Sequence, residues 1–224
     1  MRTLTREQAK AFYDKFGARQ DQQAFYEEGA LRTLCANADL ARARSVLEPG
    51  CGTGRFAFDL LRHHLPADAR YYATDISTTM VDLAASRLAP FSPRAAVTLA
   101  GDRVAPPVVE PASIDRFIAT YVLDLLSADD QEQMLAEARR LLHPDGLLCL
   151  TGITPGVTPL SRLVMNIWQW VFERNPGWVG GCRPARISER LPPNTWRIRF
   201  HTVVVAFGVA SEVVIASPIS RGEA

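Results

Sequence analysis

The sequence predicts an α/β protein with a mostly parallel sheet, and three observations carry that expectation. Short apolar runs alternate with segments of helical periodicity along most of the 224 residues. The run Val46-Leu47-Glu48-Pro49-Gly50-Cys51-Gly52-Thr53-Gly54 leaves a strand and opens a helix on glycines. Two strand-like runs, Trp196–Ala206 and residues 211–216, close the fold with Gly208 between them. So tight a connection demands an antiparallel pair, because a parallel crossover needs about a dozen residues or more.

Taken in order, residues 1–43 read as one or two helices ahead of the first strand. Strand one covers residues 44–48 and runs into Pro49-Gly50. A helix over 55–65 carries Phe56, Leu60 and Leu61 at helical spacing and ends at Pro66. Strand two is 71–74. Ser77 caps the next helix, whose face is Met80, Val81, Ala84, Ala85 and Leu88, and Pro90 stops it. Strands three and four follow at 95–100 and Ile114–Thr120. Ser127 with Asp130 three residues on forms a capping box for a helix reaching Leu142. His143-Pro144-Asp145-Gly146 is a stop and turn before strand five at 147–151. Then comes an amphipathic helix, Pro159–Arg174, with Leu160, Leu163, Val164, Ile167 and Val171 on one face. A Gly- and Pro-rich loop covers 175–194. The organisation is a helical cap at 1–43, a core domain at 44–217 and a loose tail at 218–224.

Hydrophobic residues at 47%, charged residues at 22% and a net charge of +1 describe an ordinary globular chain. Lysine occurs only at Lys10 and Lys15, and the arginines are scattered. No tract follows a phosphate backbone, so nucleic acid is not an expected partner. Cys35, Cys51, Cys149 and Cys182 lie too far apart for a ligand set, and no metal is expected. No stretch supplies the roughly 20 apolar residues of a membrane span. The first residues lack the apolar run of a secretory signal. These features predict a reduced, cytoplasmic, soluble protein.

The glycine-rich turn is the strongest chemical signal. Glycines let the backbone approach a ligand and adopt conformations that a β-carbon forbids. A dinucleotide site takes G-x-G-x-x-G; counted from Gly50, the third glycine comes one residue early, at Gly54. Glu48, two residues before Gly50, would sit close to the ligand. A carboxylate there suits an ammonium group better than a pyrophosphate. Asp75 ends strand two, where it can accept both hydroxyls of a ribose, or serve as a plain helix cap. Asp102, just after strand three, can accept an adenine amine or be an ordinary turn residue. All three acids come at strand C-termini, where open α/β sheets bind ligands. The spacing favours S-adenosylmethionine over a nicotinamide dinucleotide.

VLEPGCGTGRFAFDLL resembles motif I of class I S-adenosylmethionine-dependent methyltransferases, and ATDISTTMVDLAASRL resembles their second motif. The likeness continues through AGDRVAPP, SIDRFIATYVLDLL and ARRLLHPDGLLCLTG, over roughly residues 44–152. It looks nearest to the UbiE-like branch, whose members methylate quinone precursors and many other small metabolites. AFYDKFG resembles the Tyr-Asp segment ahead of the core there. The resemblance implies a Rossmann-like three-layer sandwich with a seven-stranded sheet, order 3-2-1-4-5-7-6, strand seven antiparallel. It also implies that Gly50, Cys51, Gly52 and Gly54 cradle the methionine part and that Asp75 takes the ribose. Ile76 and Met80 would pack on the adenine, with Asp102 and Arg103 flanking it. Thr120 and Tyr121 would line the methyl side, and Tyr13 would close over the cofactor. Many relatives carry a histidine pair near the end of strand four; here Asp124-Leu125 stands there, so neither substrate nor base carries over.

A sulfonium is already an activated methyl donor, so the protein has mainly to align a nucleophile and exclude water. Asp124 is the candidate general base by position; the alternative is a solvated acid at a strand end. Trp168, Phe172 and Arg183 are candidate acceptor-binding residues, offering aromatic surface and an anion partner. The same aromatic residues would also serve simply to cover the sheet. Trp-rich segments suit a membrane interface too, which allows peripheral membrane contact with a lipid-like acceptor. The expected activity is in-line methyl transfer to a small hydrophobic or aromatic metabolite. A non-catalytic S-adenosylmethionine-binding module fits the same motifs. A nicotinamide oxidoreductase of the short-chain type would need a Tyr four residues before a Lys, a pair the chain lacks. A nucleic-acid or protein methyltransferase is disfavoured, since ATYVLD follows strand four where an Asn-Pro-Pro-Tyr type motif would stand.

Overall fold

In the computed structural model, which describes residues 3–101 and 104–219, one seven-stranded sheet runs in the order β3-β2-β1-β4-β5-β7-β6. β1 (Ser45–Pro49), β2 (Arg70–Asp75), β3 (Ala95–Leu99), β4 (Ile114–Thr120) and β5 (Leu142–Ile153) are parallel. β7 (Val209–Pro218) runs antiparallel to both β5 and β6 (Trp196–Ala206). This is the Rossmann-like architecture and strand order expected above.

The inner strands are apolar on both faces because both faces are covered. Val46, Tyr71, Ile118 and Val213 pack under helices α2 (Ala24–Asn37), α3 (Arg55–Asp59) and α4 (Thr78–Leu88). Leu47, Phe117, Leu148 and Val214 point the other way, against α5 (Ala128–Leu141) and Ala105 and Val109 of the loop before β4. Alternate residues of one strand thus feed two cores. α2 supplies Ala30, Leu31 and Leu34 to the first core, so it is a layer of the sandwich itself. Ahead of it, α1 (Arg6–Phe16) opens on a Thr5/Gln8 capping box, and a 3₁₀ segment, Gly17–Gln23, joins the two.

Ser77 and Ser127 cap their helices as expected, accepting from the Met80 and Asp130 amides. Three elements differ. The helix over 55–65 is α-helical only to Asp59 and then winds into a π turn, Leu60–His64, closed by the Leu65 amide on the Leu60 carbonyl at 2.9 Å. The His143–Gly146 stop is absorbed into β5: Ile114 pairs with Leu142 and Arg116 with Leu147, so the residues between bulge out. Helix α6 (Pro159–Arg174) buries Ser161, Met165 and Phe172, while Leu160, Leu163 and Ile167 face outward. The expected face is thus only partly inward: of its five residues, Val164 and Val171 are half-buried, and Val164 packs against the core. Both faces of α6 carry apolar residues, and the inward one adds half-buried Trp168 to Met165 and Phe172. Among the described residues no helix is long and apolar enough to cross a membrane. Residues 220–224 of the expected tail lie outside the described residues.

Gly54 holds φ +73°, and a β-carbon there would sit 3.0 Å from the Cα and Cβ of Ala84. α3 therefore meets α4 at backbone contact. G54A should destabilise the fold by about 1–3 kcal/mol, the usual range for a side chain held in the left-handed region. Thermal unfolding checks this, and an unchanged Tm would contradict it.

Candidate active site

The C-terminal ends of β1, β2 and β4 open into a cavity of ≈ 240 Å³. Its floor is Gly50 and Gly52, one side is Asp75 and Ile76, and the other is Thr120 and Tyr121. Tyr13 of α1 also lines it. The turn that forms the floor is held by the neighbouring strand. Gly50 and Cys51 amides donate to the Thr74 carbonyl at 2.7 and 3.0 Å. The Gly52 amide donates to Asp75 Oδ2 and the Ser77 amide to Oδ1, both at 2.9 Å. Gly52 is at φ +54°, where a β-carbon would also strike the Gln20 carboxamide.

Asp75 is nearly buried yet faces the cavity. Burial raises its pKa, and the amides of Ser77 and Gly52 oppose that rise by bonding the carboxylate. The Ile76 amide bonds the carboxylate as well, and an ionised carboxylate offers about four acceptor positions, so it can still receive ribose hydroxyls. The acid, the glycine cradle and the open wall beside Ile76 fit a nucleoside.

Residues 46–146 match the family model described as a methyltransferase domain. The chain carries an S-adenosylmethionine-dependent methyltransferase domain. The tRNA N(3)-methylcytidine methyltransferase trm140 of Schizosaccharomyces pombe is 30% identical over 111 residues, 48% of this chain and 36% of its own length. The chain thus spans about a third of the length of the curated relatives it first matches. The crystal structure of the [4+2]-cyclase SpnF superposes with TM-score 0.71 at 15% identity, covering 98% of this chain and 99% of that one. Geranyl diphosphate methyltransferase, solved with GPP and sinefungin, gives TM-score 0.70 at 8% identity over 96% and 99%. At such identities these two likenesses are of fold.

Within the methyltransferase domain, the residues expected around the cofactor divide into two groups. Tyr13, Gly50, Gly52, Asp75, Ile76, Thr120 and Tyr121 line the cavity. Glu48, Cys51, Gly54 and Met80 do not. Cys51 and Met80 are buried in packing, and Gly54 serves the α3–α4 contact. Asp102 and Arg103 lie outside the described residues; Gly101 and Val104, on either side of them, line the cavity.

Glu48 points beneath the turn rather than into it. Its carboxyl is buried and accepts a 2.8 Å hydrogen bond from the Tyr71 hydroxyl. Strand pleating explains the direction: Glu48 shares its face with Val46, which packs in the core beside Tyr71.

Asp124 is fully buried and absent from the cavity wall. Its Oδ2 accepts from the Ile153 amide at 3.3 Å, and its carbonyl accepts from the Arg183 amide at 3.2 Å. Burial raises its pKa to about 7, partly offset by the amides of Ile153 and of Asp124 itself and by the charge of Arg183. It ties the loop after β4 to the end of β5 and to the 182–183 segment. The expected acceptor residues are also out of the cavity. Trp168 Nε1 donates to the Cys182 carbonyl at 2.9 Å, Phe172 is buried, and Arg183 donates to the Leu126 carbonyl. Sequence reasoning missed Gln20, Leu4 and the pair Leu125 and Leu126, all of which line the cavity. Nothing in the spacing signals the first two, because they reach the site from other elements.

Burial raises the Glu48 pKa to about 8, with the Tyr71 bond working the other way. An unfolded glutamate titrates near ~4.3, so the folded state binds more protons between the two values. Stability therefore falls as pH rises through that window. E48Q keeps an acceptor for Tyr71 and removes the ionisation. Its Tm should exceed wild type by a margin that widens from about pH 5 to pH 8. A margin that shrinks or reverses over that range would contradict the assignment.

Proposed function

We propose that the protein transfers the methyl group of S-adenosylmethionine to a small, hydrophobic acceptor. The observation that carries this reading is the composition of the cavity beside Thr120 and Tyr121. Leu4, Val122, Leu125, Leu126 and Met134 line it there. Ser127, Asp130 and Gln133 add polar groups to that wall, and a mostly apolar pocket with a few polar groups suits a compact organic acceptor. On this reading Asp75 takes the ribose, Gly50 and Gly52 the methionine part, and Ile76 the adenine. The cofactor supplies an electrophilic methyl group, and the chain's task is alignment and exclusion of water. Tyr13, bonded to the Gly180 carbonyl at 3.3 Å, keeps the mouth narrow.

Among the described residues the wall carries two carboxylates, and both are engaged: Asp75 holds the turn, and Asp130 accepts from the Ser127 hydroxyl at 2.5 Å. Burial pushes the Tyr13 and Tyr121 hydroxyls well above the ordinary phenol value, so both stay protonated at neutral pH. Tyr121 moreover donates to Ser211 Oγ at 3.0 Å. With Asp124 sealed away, the proposal is direct attack by an acceptor that is itself nucleophilic. The likeness to the UbiE-like branch, which rests on the AFYDKFG segment and the two cofactor motifs, agrees with a metabolite acceptor.

A tRNA acceptor is the second reading, favoured by the identity to trm140. Against it stands the engagement of the arginines. Arg87 and Arg55 pair with Asp21 and Glu27, and Arg94 and Arg116 bond backbone carbonyls. Methyl-labelled donor offered with a small-metabolite extract, and separately with total tRNA, decides between them. Label should pass to the extract alone; transfer to tRNA alone would overturn the proposal. D124N should retain transfer to within a few-fold, whereas loss of a general base costs about 10²–10⁴-fold.

A further inference from the structure

Gln20 sits in the 3₁₀ segment Gly17–Gln23, and its carboxamide lies directly over Gly52. A β-carbon on Gly52 would come within 2.5 Å of Gln20 Oε1 and 2.8 Å of Nε2. The side chain lines the cavity together with Gly50 and Gly52. Oε1 is buried and has no hydrogen-bond partner among the described residues. Native proteins pair nearly all buried acceptors, so an orphaned carbonyl at the wall of a binding cavity marks a place for a donor.

The carboxamide is also held in place. The next residue, Asp21, accepts from Thr53 Oγ1 at 2.6 Å and from Arg87 Nη2 at 2.7 Å. Thr53 follows Gly52 in the turn, so the two residues meeting across the cavity are each anchored to the same three-residue tie. Gln20 is thereby carried to Gly52 by the fold rather than by its own flexibility.

We propose that Gln20 recognises the amino-acid end of the cofactor, with its carbonyl accepting from the α-ammonium and its NH₂ free to donate to the α-carboxylate. This rests on the reading of the cavity as an S-adenosylmethionine site. The assignment follows from the positions of the acceptors. Asp75 holds the Gly52 amide from the β2 side and is the acceptor suited to ribose hydroxyls. Gln20 approaches the same glycine from the N-terminal segment, and the remaining strong donor of the ligand is its ammonium group. A neutral carboxamide presents one acceptor and two donors, which matches a zwitterion without opposing either charge.

The test compares S-adenosylhomocysteine with 5′-methylthioadenosine, which keeps the nucleoside and lacks the amino-acid end. Isothermal titration of Q20A should show affinity for S-adenosylhomocysteine reduced by about tenfold or more, the scale of a lost charge-assisted hydrogen bond. Affinity for 5′-methylthioadenosine should change less than about twofold. Q20N, which retains the amide but shortens its reach, should show the same selective loss should Q20A fold poorly. D75A is the control and should weaken both ligands. Equal losses for both ligands in Q20A and Q20N, or no loss for either, would overturn the role of Gln20. A wild-type protein that binds neither ligand would instead remove the underlying cofactor reading.

Discussion

The turn between β1 and α3 takes its shape from the strand beside it. The Thr74 carbonyl receives two successive amides, and the Asp75 carboxylate receives the next available one from Gly52. These bonds leave the backbone at Gly50, Gly52 and Gly54 with φ of +71°, +54° and +73°. Side chains other than glycine disfavour that region. The same bonds fix the carboxylate that faces the cavity. Cradle and acid are therefore one unit: moving either displaces the other. The rest of the site is arranged around this junction.

The N-terminal segment belongs to that arrangement through polar ties to the cofactor-side elements. Asp14 accepts from Ser77 Oγ at 2.6 Å, beside the acid on β2. Asp21 joins Thr53 and Arg87, and Glu27 meets Arg55 at 3.2 Å. These part-buried ties together fix α1 and the 3₁₀ segment against the turn, α3 and α4. That places Tyr13 and Gln20 over the cavity. On the β4 side of the cavity, Asp124 does the equivalent work, joining the loop after β4 to β5 and to Arg183.

The meeting of the glycine turn and Asp75 at one cavity was legible in the sequence because its determinants are local. A glycine run after a strand and an acid at the end of the next strand occupy fixed places in any βαβ unit. The strand order came from the motif resemblance, and the closing hairpin from Gly208 and the short connection. What was not legible depends on direction or on distant contacts. Glu48 and Asp124 are acids at strand ends, but pleating turns one into the core and the loop path buries the other. α6 has apolar residues on both faces, so periodicity alone gave no way to choose between them. Gln20 meets Gly52 across 32 positions of chain, and no pattern in either neighbourhood announces the contact.

The account's central claim is that the junction of the turn and Asp75 receives a sulfonium nucleoside. A crystal structure with S-adenosylhomocysteine tests it most directly. The ribose hydroxyls should lie on the Asp75 carboxylate, with the amino-acid end over Gly50 and Gly52. A ligand seated elsewhere, or a ribose turned away from Asp75, would contradict it.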